Sequence, residues 1–141
     1  MNITYDEIRK DLPSYELEKL FISAGWSDGL GDSHTTHFNA PFINSTLVIS
    51  AWDNDCLVGA VRVLSDKIIR SNIYDLVVAP EYQGKGIGGE LVRRCLAYFP
   101  NSKWLVGCNE DKISFYVKLG FQTNDKDDEG YLSIPSTYKG K

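Results

Sequence analysis

The sequence predicts a single-domain α/β fold, a mixed sheet with helices packed on it around one central β-α-β unit. Three observations lead there. The 141 residues are 43% hydrophobic and 24% charged, an ordinary globular mixture that fits one domain over residues 1–141. Runs rich in β-branched and apolar residues alternate with stretches of helical periodicity. One apolar run leads through a glycine-rich loop into an amphipathic helix, with another apolar run beyond it. A domain of this length buries about two-thirds of the surface its unfolded chain exposes, so it holds a core without staples.

Residues 2–5 read as a short first strand. A helix starts at Asp11-Leu12-Pro13, because proline is tolerated in a first turn. Leu17, Leu20, Phe21 and Ala24 share one face of it, and Gly25 is a natural stop. Residues 32–44 are ambiguous: Asp32 or Ser33 suits a helix cap, but Pro41 disturbs a helix. Residues 46–52 and 56–64 read as strands joined by the turn Asp53-Asn54-Asp55. Residues 73–78 form the next strand. Its end, Leu76-Val77-Val78, is continuously apolar, as in a strand covered on both faces, and Pro80 stops it. A helix then runs to about Phe99, with Ile87, Leu91, Val92, Cys95, Leu96 and Phe99 as its buried stripe. Glu90, Arg93 and Arg94 lie outside that stripe, and Pro100 closes the helix. Residues 104–108 read as a strand and 111–119 as a short helix ending at Gly120. Two final strands, 121–123 and 130–134, flank the charged loop 124–129.

Fifteen Lys+Arg against nineteen Asp+Glu give a net charge of −4. A general nucleic-acid binder needs a basic face, so no nucleic-acid partner is expected. An acidic surface attracts instead a cationic partner such as an amine. Cys56, Cys95 and Cys108 are odd in number and form no C-x-x-C pair. This counts against a disulfide framework and a four-ligand zinc site; no metal is expected, and the cysteines read as partly buried thiols in a reducing cytoplasm. The first residues lack a basic stretch and an apolar run, so no signal peptide is expected. No apolar stretch approaches the roughly 18 residues of a membrane span, and no membrane partner is expected.

The most informative segment is Gln83-Gly84-Lys85-Gly86-Ile87-Gly88-Gly89, between a strand and a helix. Glycine lets the backbone approach a ligand and take positive φ, and a helix N-terminus offers unpaired N–H groups. Together they suit a pyrophosphate; the competing reading is a tight turn with no ligand. A Walker loop fails, because Gly84-Lys85 is followed by Gly86 rather than Ser or Thr. The dinucleotide fingerprint matches at Gly84, Gly86 and Gly89, with Glu110-Asp111 about 20 residues on. That fingerprint should follow its strand directly, yet five residues, Ala79 to Gln83, intervene here.

The wording Leu76-Val77-Val78-Ala79-Pro80-Glu81-Tyr82-Gln83-Gly84-Lys85-Gly86-Ile87-Gly88 resembles the Q/R-x-x-G-x-G/A pattern of the GNAT acetyltransferase superfamily, which follows an apolar strand ending in V-x-P. Residues 109–121, Asn-Glu-Asp-Lys-Ile-Ser-Phe-Tyr-Val-Lys-Leu-Gly-Phe, are similar to its N-x-x-A-x-x-F-Y-x-x-x-G-F, with Lys112 where a small residue is usual. The resemblance covers roughly residues 72–121, and its wording is similar to that of bacterial and plastid-type amine acetyltransferases. It implies a mostly antiparallel sheet, splayed at the cofactor strand and flanked by about four helices. It also implies acetyl-CoA as co-substrate, no metal, and direct attack by an amine in a ternary complex.

By the same resemblance, backbone groups of Leu76, Val77 and Val78 pair with the pantetheine arm, and the Leu76 amide polarises the acetyl carbonyl. Gln83, Gly84, Lys85, Gly86, Ile87, Gly88 and Gly89 cradle the pyrophosphate; Lys85 is equally a solvated loop lysine. Tyr116 is the candidate acid for the departing thiolate, since a phenol titrates near 10, against its reading as a core tyrosine. Asn109 and Phe115 shape the cofactor channel. The base stays open. Asn72 occupies the position aligned with the family's carboxylate and cannot serve. Asp75, the only acid on that strand, falls on the opposite face by alternation unless a bulge intervenes. A water chain ending at Asp75, His34 or His37 is the alternative. The acceptor pocket is expected in the N-terminal half, from Trp26, Phe38 and Tyr74, with Phe42 and Trp52 also available; all five are also ordinary core residues. The favoured acceptor is a small-molecule amine. A protein lysine or N-terminus, and a non-catalytic acyl-CoA-binding module, are the competing readings, and Tyr116 speaks against the last. The oligomeric state is left between monomer and homodimer.

Overall fold

The computed structural model describes residues 1–26, 37–123 and 131–139. Its strands form one six-stranded sheet that follows chain order: β1 (Ile3–Asp6), β2 (Leu47–Asp53), β3 (Cys56–Ser65), β4 (Arg70–Val78), β5 (Lys103–Gly107) and β6 (Tyr131–Ile134). All neighbouring pairs are antiparallel except β4 and β5, which run parallel. A parallel pair needs a crossover, and α3 (Ile87–Tyr98) provides it. The described residues also include α1 (Ser14–Ser23), α2 (Ala40–Ile43) and α4 (Ile113–Lys118).

The sheet is covered on both faces. On one, Ile87, Leu91, Val92 and Cys95 of α3 pack on Ile49, Val61 and Val63, and Tyr116 of α4 joins the same core. On the other, Leu17, Leu20 and Phe21 of α1 and Phe42 of α2 cover Val48, Ala60 and Val77. The expected helical stripes are therefore the ones buried, except that Ala24, Leu96 and Phe99 are only partly so. The hairpin turn holds Asn54 at φ 55, a conformation asparagine tolerates.

Several local expectations are corrected. Pro13 sits at the N-cap of α1, just ahead of the helix rather than in its first turn. In the ambiguous stretch, Pro41 is the second residue of the four-residue α2, in the first turn, where its missing N–H costs nothing; Asp32 and Ser33 lie outside the described residues, as do residues 124–130. The expected helix 111–119 is a 3-10 turn (Glu110–Lys112) followed by α4. The segment 121–123, expected as a strand, contributes only an isolated bridge from Gln122 to Ser133. The Phe121 N–H instead donates to Tyr116 O at 3.1 Å, closing the end of α4. Cys56, expected partly buried, is exposed, whereas Cys95 is buried and Cys108 half-buried. No described helix is long and apolar enough to cross a membrane.

Two features of β4 set up the site. Its register on β3 shifts: Ile73 faces Val63 and Asp75 faces Arg62, so Tyr74 is the extra, bulged residue. Its pairing with β5 runs only from Arg70 to Ile73, although β4 continues to Val78. The closed end of this pair is tied by a chain of serine hydroxyls, Ser65 to Ser71 at 2.7 Å and Ser71 to Ser102 at 2.8 Å. Ser71 and Ser102 are buried, and these bonds satisfy them. Beyond Ile73 the strands diverge.

Candidate active site

A cleft of about 1040 Å³ opens where β4 and β5 part. Which backbone groups face it follows from the strand's alternation. The Ala79 N–H donates to Val58 O on β3 at 2.9 Å. Val77 then points the same way, while the N–H groups of Leu76 and Val78 point away from β3, into the gap. The carbonyl of Val78 is turned there too, and the Gln83 side-chain amide donates to it at 2.9 Å. Gln83 thus folds back on the strand and closes off its last carbonyl.

The α3 N-terminus forms the far wall. Gly86 is its N-cap at φ +88, and no side chain caps the helix. The amides of the first helical turn therefore lack an intrahelical partner and carry the positive end of the helix dipole. Gly84 also has positive φ, and a Cβ built at either glycine would meet nothing within 4 Å. The loop thus leaves open space in front of these donors, as a bound phosphate requires. Gly88 faces α4: a Cβ built on it would lie 3.4 Å from the Phe115 ring, at ordinary contact distance. Ile87, expected in the cradle, buries its side chain in the core. Lys85 is exposed and its side chain does not line the cleft.

Asn109, Phe115 and Tyr116 line the opposite side. Tyr116 is 5% exposed, its ring held edge-on by Phe115 and Phe121. Its hydroxyl has no hydrogen-bond partner among the described residues, although it belongs to a side chain lining the cleft. Burial is the main cause that pushes this phenol above its ordinary value, with the neighbouring Cys108 and Cys95 adding to it. It is therefore a protonated donor throughout the neutral range. Burial likewise pushes Cys95 up to about 12 and raises Cys108, so both are thiols, not thiolates, at neutral pH.

The acceptor candidates separate. Trp26 and Tyr74 line the cleft and are half-exposed. Phe38 does not; it packs edge-on against Phe21 in the core beneath α1. Phe42 is buried in that core, and Trp52 donates its indole N–H to Ser50 at 2.9 Å. The bulge at Tyr74 places Asp75 on the same face as Asn72, the case the alternation left open. Asp75 nevertheless does not line the cleft: its Oδ2 accepts Arg62 Nε at 2.7 Å. His37 is exposed, and His34 lies outside the described residues.

Three residues at the site were not singled out from the sequence. Arg93 lies on the exposed side of α3 but folds back toward Gly89 and lines the cleft. Tyr82, also in the cleft wall, donates its hydroxyl to Asp53 at 2.6 Å and ties the root of the glycine loop to the β2–β3 turn. Arg62 holds Asp75. Only Arg93 left a signal: its position one helical turn after Gly89.

Comparison with known proteins gives the family and the fold. The model of the acetyltransferase (GNAT) family matches residues 5–121. An uncharacterized N-acetyltransferase ycf52 of Pyropia yezoensis is 31% identical over 124 residues, covering 83% of this chain and 69% of the relative. A GNAT family acetyltransferase structure from Streptococcus pneumoniae superposes with a TM-score of 0.68 at 25% identity, over 86% of this chain and 88% of that one. The PaiA N-acetyltransferase of Thermoplasma acidophilum, solved in complex with coenzyme A, gives a TM-score of 0.70 at 17% identity, over 96% and 99%. That last likeness concerns the fold alone. With the family model spanning most of the sheet, both walls of the cleft and the α3 loop, the chain belongs to the GNAT family of acetyl-CoA-dependent acetyltransferases.

Proposed function

We propose that this enzyme transfers acetyl from acetyl-CoA to the primary amine of a small molecule, both substrates being held together in the β4–β5 gap. The observation that carries the reading is the unpaired edge of β4 facing the uncapped α3 N-terminus across one cleft. An edge strand recruits an extended, amide-bearing arm, and helix amides with open space before them recruit phosphate. The coenzyme A bound to the Thermoplasma relative is consistent with this.

Acetyl-CoA supplies the activated acyl group as a thioester. On this reading the N–H groups of Leu76 and Val78 hold the pantetheine arm alongside β4. The Leu76 N–H is aimed at the acyl oxygen, where a fixed donor gains strength as charge develops. The backbone from Gly84 to Gly89 receives the pyrophosphate, and Arg93 adds a positive charge beside it. Asn109 and Phe115 shape the channel. Tyr116 donates its proton to the departing sulfur as the C–S bond breaks, and the proton that the newly bonded nitrogen releases returns through water to the phenolate. The amine has to shed a proton before it attacks. Since Asp75 is engaged by Arg62, that proton leaves through water, and the acceptor enters as the neutral amine. Trp26 and Tyr74 flank its entrance.

The test is a screen of amines, polyamines, aminoglycosides and lysine peptides for CoA release in the presence of acetyl-CoA. Turnover with a small amine is expected. Turnover confined to peptides would move the acceptor to proteins, and no release from any acceptor despite acetyl-CoA binding would oppose the reading.

A further inference from the structure

We propose that Arg62 and Asp75 form a positioning clamp: they lock the β4 bulge, and through it set the Tyr74 wall of the acceptor entrance and the direction of the Leu76 amide. The proposal rests on the acetyl-transfer reading of this cleft.

The contacts converge on one place. Arg62 Nε donates to Asp75 Oδ2 at 2.7 Å, and both side chains are 18% exposed. The same guanidinium lies 5.4 Å from the Tyr74 ring centroid and 5.8 Å from that of Phe42, and its Nη1 reaches Ser45 Oγ at 3.5 Å. Tyr74 is the bulged residue, and its hydroxyl accepts the Asn72 side-chain amide at 3.5 Å. One cation therefore bonds the residue after the bulge, lies against the bulged ring and is backed by α2.

A bulge leaves a residue unpaired, and a strand can recover the lost pairing by slipping one position. In a sheet such a slip turns every side chain to the other face and every N–H to the other neighbour. Here a slip would turn the Leu76 and Val78 amides away from the gap and into β3. The Arg62–Asp75 pair exists only in the bulged register, where the two residues are directly opposed. The stacking adds a demand on the cation. A planar guanidinium bonds a carboxylate through its edge while its face lies on a ring, which an ammonium cannot do. Asp75 is on this account a positioning residue rather than the base.

The clamp is tested with Arg62→Met, Arg62→Lys, Asp75→Asn and the Arg62→Met/Asp75→Asn double variant. Calorimetry gives CoA affinity, steady-state kinetics gives kcat and acceptor KM, and hydrogen exchange follows the Val77 amide against the Val92 amide in α3. The expected result is a loss of about 10- to 100-fold in kcat/KM for the acceptor in Arg62→Met and Asp75→Asn, the scale of a misplaced reacting group. CoA affinity should fall by less than the acceptor kcat/KM, by no more than about tenfold, because the phosphate seat on α3 is untouched and only the pantetheine pairing with Leu76 and Val78 is loosened. The double variant should cost about as much as one single, and Arg62→Lys should fall between. Val77 should lose protection while Val92 keeps it. Unchanged acceptor kinetics in folded Arg62→Met, or additive losses in the double, would overturn the clamp. So would equal loss of protection at Val77 and Val92, which marks general destabilisation. If Arg62→Met fails to fold, Arg62→Lys carries the same comparisons. A wild-type enzyme that binds no CoA would sink the functional reading instead; the exchange at Val77 would still decide the clamp.

Discussion

Tyr116 shows how one buried side chain ties packing to chemistry. Its ring is locked between Phe115 and Phe121, and its hydroxyl has no partner among the described residues. Removing this hydroxyl breaks no hydrogen bond to the described residues and leaves the ring packing intact, so it should cost the fold little. Tyr116→Phe should therefore leave the melting temperature unchanged or slightly raised while turnover falls by about 10²- to 10⁴-fold, with acetyl-CoA affinity little altered. Kinetics under conditions where chemistry limits the rate would decide it; unchanged turnover would make Tyr116 a packing residue. The raised titration of this phenol gives a second expectation. Because the functional form is protonated, activity depending on it would be lost only as pH rises through its native value, which lies above the ordinary 10 or so. The pH profile of kcat/KM should thus rise with deprotonation of the acceptor amine and show no alkaline fall from Tyr116 up to about pH 10. An alkaline limb below pH 9 that vanishes in Tyr116→Phe would contradict this.

At the scale of elements, the site is a junction between a strand that ends unpaired and a helix that begins uncapped. Gly86→Asp tests the helix side. It puts a carboxylate where phosphate charge is expected and forces a side chain into φ +88. CoA binding by calorimetry should fall below detection in the folded variant; retained affinity would remove the phosphates from this loop. This half of the site was legible in the sequence, because positive φ and close backbone approach demand glycine and so leave their mark on residue identity. The strand side was less so. Residues 73–78 read correctly as an apolar strand, but nothing in their own order signals that Tyr74 is bulged. That is a property of the pairing with Val63 and Arg62, which lie about ten residues upstream and beyond a turn. Alternation alone therefore separates Asp75 from Asn72, and the order of residues in the strand does not disclose that Arg62 engages Asp75. The aromatic residues of the N-terminal half failed for a related reason. Core and pocket draw on the same residue types, so Phe38 and Trp26 cannot be told apart until α1 and α2 are docked.

Across the whole molecule, the α3 helix has to be held to the first strand as well as to the sheet. Glu7, just past β1, accepts Arg94 Nη1 at 2.6 Å and the Tyr98 hydroxyl at 2.7 Å. Arg94 also donates to Glu90 at 2.8 Å, and its guanidinium lies 4.4 Å from the Tyr5 ring centroid. These bonds hold both carboxyls below their usual range: Tyr98 and then Arg94 act most on Glu7, and Arg94 on Glu90. A depressed carboxyl contributes stability that is complete above its unfolded value, about 4.3, and is lost as pH falls through the lower native one. The melting temperature should therefore be level from about pH 7 to 5 and decline below about 4.5. Glu7→Gln keeps an acceptor but removes the charge. These groups are about one-third exposed, so water and salt screen them, and the loss at pH 7 should stay within about 1 kcal/mol. For a domain of this size that is a fall of about 3–5 °C. The distinguishing effect is at low pH: the variant has less left to lose, so the two melting curves should converge between pH 4.5 and 3. Scanning calorimetry at several pH values, at low and high salt, would show it. Parallel acid slopes for the two proteins would mean that Glu7 does not couple α3 to the first strand, and that the acid sensitivity arises among the other depressed carboxyls, Asp6, Asp53 and Asp66.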